Sequence, residues 1–153
     1  YANEYVGLNN RMTDIHASIG RVQLTKLAGW TKTRQENAAF LSKNITEAVT
    51  PVVPESYVHV YHQYTIRLEG ATGEERDCFV TALKEEHQVG SGVYYPIPNH
   101  RLPSLAPYAP GLELPNTEKV AAECVSLPVH PSLSQADLER IVAAVNACAK
   151  AGA

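Results

Sequence analysis

Apolar residues recur at three- and four-residue spacing from Met12 through Ile15, Ile19 and Val22, with Leu24 and Leu27 one ridge over. That is the stripe of an amphipathic helix, and Asn10 or Thr13 can cap its start. Ala17, Ser18 and Gly20 are small, so another backbone can approach closely on that side. Gly29-Trp30-Thr31 interrupts the pattern, and a second stripe through Ala38, Leu41, Ile45 and Val49 runs to Pro51, where a helix must stop. The spacing predicts two leading helices.

From Val58 to Leu68 the period changes to two. Val58, Val60, His62, Tyr64, Ile66 and Leu68 share one face, and His59, Tyr61, Gln63, Thr65 and Arg67 the other, the signature of a half-buried strand. Thr72-Gly73-Glu74-Glu75 reads as a capping box, opening a helix that buries Phe79, Val80 and Leu83. Val89 to Ile97 is a second extended stretch, followed by Pro98, Pro103, Pro107, Pro110 and Pro115. Asn116 or Thr117 caps a helix carrying Val120, Ala121 and Cys124, which runs into the short apolar stretch Val125 to Val129. Ser134 to Asp137 is another capping box, before a helix with Leu138, Ile141, Val142 and Val145 on one face. The order predicts an α/β fold: two leading helices over residues 1–50, then a small sheet of about three strands covered by helices over residues 51–153.

Composition narrows the class. At 153 residues, 44% hydrophobic and 19% charged, the chain has room for one ordinary globular domain. The net charge is -3 and the 13 basic residues are scattered, which argues against nucleic acid as a partner. No apolar run approaches the roughly 20 residues that span a bilayer, so no membrane is expected and the protein reads as cytoplasmic. Cys78, Cys124 and Cys148 are odd in number with no CxxC spacing; they read as buried thiols, and no metal site is expected. The opening YANEYVG lacks Met and any signal-peptide pattern, and is expected to be cut from a longer polypeptide.

No complete catalytic set is visible: GxSxG, HExxH and a phosphate-cradling glycine loop are all missing. The lysines, at 26, 32, 43, 84, 119 and 150, fall among polar neighbours on helices, as solvated amines do. Two stretches are less ordinary. In GVYYPIPNH, residues 92–100, Tyr94, Tyr95 and His100 gather hydrogen-bonding rings in a proline-stiffened segment. Read from the residues alone, they either pack around a strand end or line a site. In GLNNRM, residues 7–12, Asn9 and Arg11 precede a long helix, serving either as a cap or as an anion site.

Longer motifs decide more. GLNNRMTDIHASIGRVQLTKL, GSGVYYPIPNHRLP and LPNTEKVAAECVSLPVHPSLSQADLERI resemble, in the same order, three segments of the DegT/DnrJ/StrS-type sugar aminotransferases, which use pyridoxal 5'-phosphate. The likeness runs from residue 7 to 141 and concerns only the carboxyl-terminal part of that family's aspartate-aminotransferase fold.

The resemblance implies a homodimer in which residues 1–50 form interdomain and dimer-lining helices and residues 51–153 the small domain. The large cofactor-binding domain would be absent from this chain, and with it the Schiff-base lysine. No catalytic residue is therefore expected here, and the chain alone should be inactive and should not bind the cofactor by itself. By resemblance Asn9 reaches the phosphate of the partner subunit's pyridoxal phosphate, with Arg11 beside it. Tyr94, Tyr95 and His100 form a lip over a nucleotide-linked keto-sugar or its amino donor, glutamate or glutamine. The rival expectation is a free-standing, non-catalytic dimerisation or regulatory module derived from the family; a third is a subunit split from a separate large domain.

Overall fold

The computed structural model describes residues 10–151. Helix α1 runs unbroken from Asp14 to Asn44, capped by the Thr13 hydroxyl, which accepts from the His16 amide. The two expected leading helices are thus one. Gly29 costs a helix only about 1 kcal/mol relative to Ala, and no proline lies between Asp14 and Asn44, so the interruption of the stripe does not interrupt the backbone. The two halves of α1 have different surroundings. Ala38 and Leu41 are fully buried, whereas Met12, Ile15, Ile19, Val22, Leu24 and Leu27 all lie more than half exposed.

After α1 the chain forms β1 (Tyr64–Arg67), α2 (Gly73–Glu85), two single 3₁₀ turns (Asn99–Arg101 and Ala106–Tyr108), α3 (Pro115–Glu123), β2 (Cys124–Leu127) and α4 (Gln135–Ala151). Strands β1 and β2 pair antiparallel, with Tyr64 opposite Leu127 and Arg67 opposite Cys124. Single bridges widen the pair on either side, Val49 to Arg67 and Gly92 to Ser126. The α/β class is as the sequence predicts, but the extended stretch around residues 89–97 contributes only the Gly92 bridge. Pro96 and Pro98 have no N–H to give a ladder, so pairing cannot continue.

Strand β1 is also shorter than the alternation suggests. Tyr64 and Ile66 are fully buried, but Val58 is 85% exposed. Tyr61 adopts a left-handed φ of 47°, and its amide donates to His59 Nδ1 at 2.9 Å, which turns the chain before the strand begins. The preceding segment instead rests on α1, with Gln35 donating to the His59 carbonyl and Arg34 to that of Tyr61.

One core joins these elements: Leu41, Ile45, Ile66, Leu83, Val125 and Val145 are among its members. Both capping boxes form. The Thr72 hydroxyl and Glu75 carboxylate satisfy each other's amides, as do Ser134 and Asp137. At α3 the expected cap is displaced: Leu114 is the N-cap and Pro115 takes the first turn, where its preset φ suits a helix and its missing N–H goes unneeded. Cys124 is buried as expected, but Cys78 is exposed on α2.

A buried carboxylate ties the ends of the sheet. Glu123, 1% exposed, accepts from the Gly70 amide at 2.9 Å and from Arg67 Nη1 at 3.2 Å. Nearby, the buried Arg76 donates to the Ala121 carbonyl at 2.7 Å. Each charge therefore has the partners that burial demands.

Ile66→Ala is expected to cost about 3 kcal/mol in denaturant unfolding of the intact polypeptide, while Val58→Ala should cost about 0.5 kcal/mol or less. Equal losses would mean that the strand extends to Val58.

Candidate functional site

The bridge between Gly92 and Ser126, with hydrogen bonds of 3.0 and 2.7 Å, delivers the YYPIPNH segment to the edge of the sheet. Tyr94 folds back over its own strand: a Cβ at Gly92 would lie 2.8 Å from the Tyr94 hydroxyl and 2.9 Å from its ring. Only glycine leaves that space. Tyr94 and Tyr95 stand edge to face with centroids 5.9 Å apart and remain 52% and 74% exposed.

Tyr94 is the wall between two grooves. One, of about 470 Å³, is bounded by Arg34, His62, Ser91, Ser126 and His130. The other, of about 680 Å³, lies between the lip and α3 and is lined by Tyr95, Ile97, His100, Thr117 and Val120 among others. Tyr94 borders both, and Tyr95 only the second. The Cys124 thiol on the floor of the second is pushed up by burial, which keeps it a thiol rather than a nucleophilic thiolate.

His100 has a specific partner. Its Nε2 lies 2.8 Å from Glu118 Oε1, and Arg101 donates to the same oxygen through Nε at 3.0 Å and Nη2 at 2.7 Å. The His100 side chain is 5% exposed, so its ring is turned onto α3 and forms part of the groove wall. Sequence reading singled out His100 but not Glu118, which is 18 residues away with no local signal pairing the two. The hydrogen bond from His100, then those from Arg101, hold the Glu118 carboxyl down at about 2.

Of the remaining candidates, Arg11 is exposed just before α1, and Asn9 lies outside the described residues. The lysines stand away from both grooves. Lys32, Lys84, Lys119 and Lys150 face Glu36, Glu85, Glu123 and Glu47, and Lys26 sits 5.8 Å from the Trp30 ring centre. Pyridoxal phosphate needs an amine for its Schiff base. No lysine lines either groove; among the described residues the two grooves offer walls, hydroxyls and a guanidinium rather than an amine. Among the described residues, no group of three or more His, Cys, Asp or Glu side chains is arranged to hold a metal ion, and no helix is long and apolar enough to cross a membrane.

Because the Glu118 carboxyl falls from its usual 4.5 to about 2 in the folded chain, its clamp is complete above about pH 4.5 and is lost as pH drops toward 2. Glu118→Gln should release His100 and Arg101 already at pH 7. The His100 ring resonances, followed by NMR in the intact polypeptide at pH 7, should differ between the variant and the wild type. Identical wild-type and variant spectra at pH 7 would show that the clamp does not hold the ring.

The sequence matches the profile of the DegT/DnrJ/EryC1/StrS aminotransferase family over residues 1–146. It is 36% identical over 149 residues to a pleiotropic regulatory protein of Geobacillus stearothermophilus, covering 93% of this chain and 38% of that protein. It is 30% identical over 148 residues to the dTDP-3-amino-3,6-dideoxy-alpha-D-galactopyranose transaminase of Aneurinibacillus thermoaerophilus, covering 95% and 39%. The fold superposes on S. venezuelae DesV, solved in complex with a ketimine intermediate, with a TM-score of 0.85 and 28% identity over 98% of this chain and 40% of DesV. The chain thus spans about two fifths of the length of the curated relatives it matches. It belongs to the DegT/DnrJ/EryC1/StrS aminotransferase family.

Proposed function

We propose that this chain is the carboxyl-terminal part of a pyridoxal-phosphate-dependent aminotransferase that transfers an amino group from glutamate or glutamine to a nucleotide-linked keto-sugar. The observation that carries the reading is the lip. Two tyrosines are presented at a sheet edge, braced by Glu118 through His100 and Arg101, in a chain whose family match runs from residue 1 to 146. The transaminase named for the A. thermoaerophilus relative supports a sugar as acceptor.

In this reading residues 51–153 are the small domain, and residues 1–50 link it to a large domain and line a homodimer. The cofactor, when bound, supplies an electron sink for amino-group transfer. This chain's share is positional. Asn9 donates its amide to the cofactor phosphate of the partner subunit, which fixes orientation through a charge-assisted hydrogen bond, and Arg11 stands beside it. The Tyr94 and Tyr95 hydroxyls hydrogen-bond the sugar or the donor, and His100 keeps the lip closed onto α3. The exposed stripe of Ile15, Ile19 and Val22 is the apolar surface that such a dimer would cover.

The test uses the intact polypeptide with glutamate and a nucleotide-linked keto-sugar, following amino-sugar formation. Absence of turnover in protein that retains the cofactor would refute the reading. Asn9→Ala should lower cofactor retention by about tenfold, since a hydrogen bond to a charged group is worth about 1.5–3 kcal/mol, whereas Arg101→Ala should leave retention unchanged; equal retention in both would remove the phosphate role. Removing both hydroxyls, with Tyr94→Phe and Tyr95→Phe, should raise KM several-fold while the unfolding midpoint holds. A large loss of stability would assign the tyrosines to packing instead.

A further inference from the structure

The groove on the inner side of Tyr94 has a charge composition of its own. Arg34 enters it from α1, His62 from the turn before β1, and His130 from the segment after β2, around Ser91 and Ser126. Among the described residues, no carboxylate lines it. The walls are fixed by hydrogen bonds rather than by apolar packing alone. The buried Asn37 amide donates to the carbonyls of Val129 and His130 at 3.4 and 3.1 Å, and Arg34 gives one of its N–H groups to the Tyr61 carbonyl at 3.3 Å. Ser126 shares its hydroxyl with Thr65 at 2.8 Å. Asp137, whose field reaches His130, is engaged by the Ser134 hydroxyl at 2.6 Å and amide at 2.9 Å.

Ser91 departs from this pattern. Its Oγ is shut off from solvent and has no hydrogen-bond partner, the one such side-chain atom among the described residues. Buried polar atoms are nearly always paired, and an orphan calls for a specific cause. Ser91 borders the groove, and rotation about its single Cα–Cβ bond can turn the hydroxyl toward an acceptor held there by Arg34. A guanidinium, two imidazoles and a hydroxyl can all donate, and all four belong to a groove that no carboxylate lines.

We propose that this groove is an oxyanion site that takes a carboxylate or phosphate group, with His130 and Ser91 as donors and Arg34 as the fixed positive charge. The site follows from the groove's own composition; naming its occupant rests on the aminotransferase reading. That reading offers two sources of the same chemistry, the carboxylates of the amino donor and the phosphates of the nucleotide-linked sugar.

The test is calorimetric titration of the cofactor-saturated intact polypeptide at pH 7 with inorganic phosphate, repeated in the presence of glutarate, a dicarboxylate with no amine to transfer, or of uridine diphosphate. Saturable phosphate binding is expected, displaced by one of the two competitors, and that competitor identifies the source. Ser91→Ala should weaken phosphate binding by about tenfold with the unfolding midpoint unchanged or raised, because it deletes a hydroxyl that has no partner. His130→Gln, at an exposed side chain, should weaken binding without unfolding the protein. No phosphate binding, phosphate that neither competitor displaces, or affinity unchanged in both variants overturns the proposal. If anions bind as expected while the polypeptide fails to transaminate, the site stands and the proposed function falls.

Discussion

Tyr64, Ile66, Val125 and Leu127 form one buried layer, and the rest of the molecule is arranged by what must cover it. Two strands of four residues each are too short to persist in water unaided. Their side chains leave solvent only because Leu41 and Ile45 at the end of α1, Leu83 on α2 and Val145 on α4 close over them. Burial of that layer also explains Glu123: placing a carboxylate at the junction of α3 and β2 is tolerable because Arg67 and the Gly70 amide meet it, and those contacts fix where the two strands end.

This arrangement sets the geometry of the site. Antiparallel pairing reaches Gly92 through Ser126 and then fails at the prolines, so the chain leaves the sheet at one defined point with Tyr94 folded over Gly92. In the lip that follows, Tyr94, Tyr95 and Ile97 stay half or more exposed, and the His100 ring is buried against α3. It is stiffened by proline and held by one carboxylate oxygen serving both His100 and Arg101. A segment held by polar contacts at its far end and by the sheet at its near end can keep two tyrosines exposed without leaving them unplaced. Tyr94, as the shared wall, couples an apolar groove against α3 to a cationic one against α1.

Helix α1 shows the same division along its length. Its last two turns complete the core, whereas its first half carries apolar side chains in the open, as one expects when the covering surface belongs to something other than this chain. The helix is continuous, so the exposed stripe is rigidly registered to the small sheet. Whatever meets that stripe is placed relative to Tyr94 and the two grooves.

The sequence by itself determined the local, periodic features. The α/β order, both capping boxes, the apolar face of α4 and the three family motifs were all legible, because spacing and cap chemistry act within a few residues of the chain. What only the tertiary structure decided depends on groups distant in sequence. Alternation from Val58 predicted a long strand, but burial selects only Tyr64 to Arg67, because Tyr61 turns the backbone and β2 offers four partners. Gly29 looked like a break, but a single glycine cannot end a helix that nothing else interrupts. His100 was visible as a candidate, and its pairing with Glu118 was not. Neither Ser91 nor the cationic groove around it carries any local sign in the sequence, because that groove exists only where α1, the turn before β1 and the ends of two extended segments are brought together by the fold.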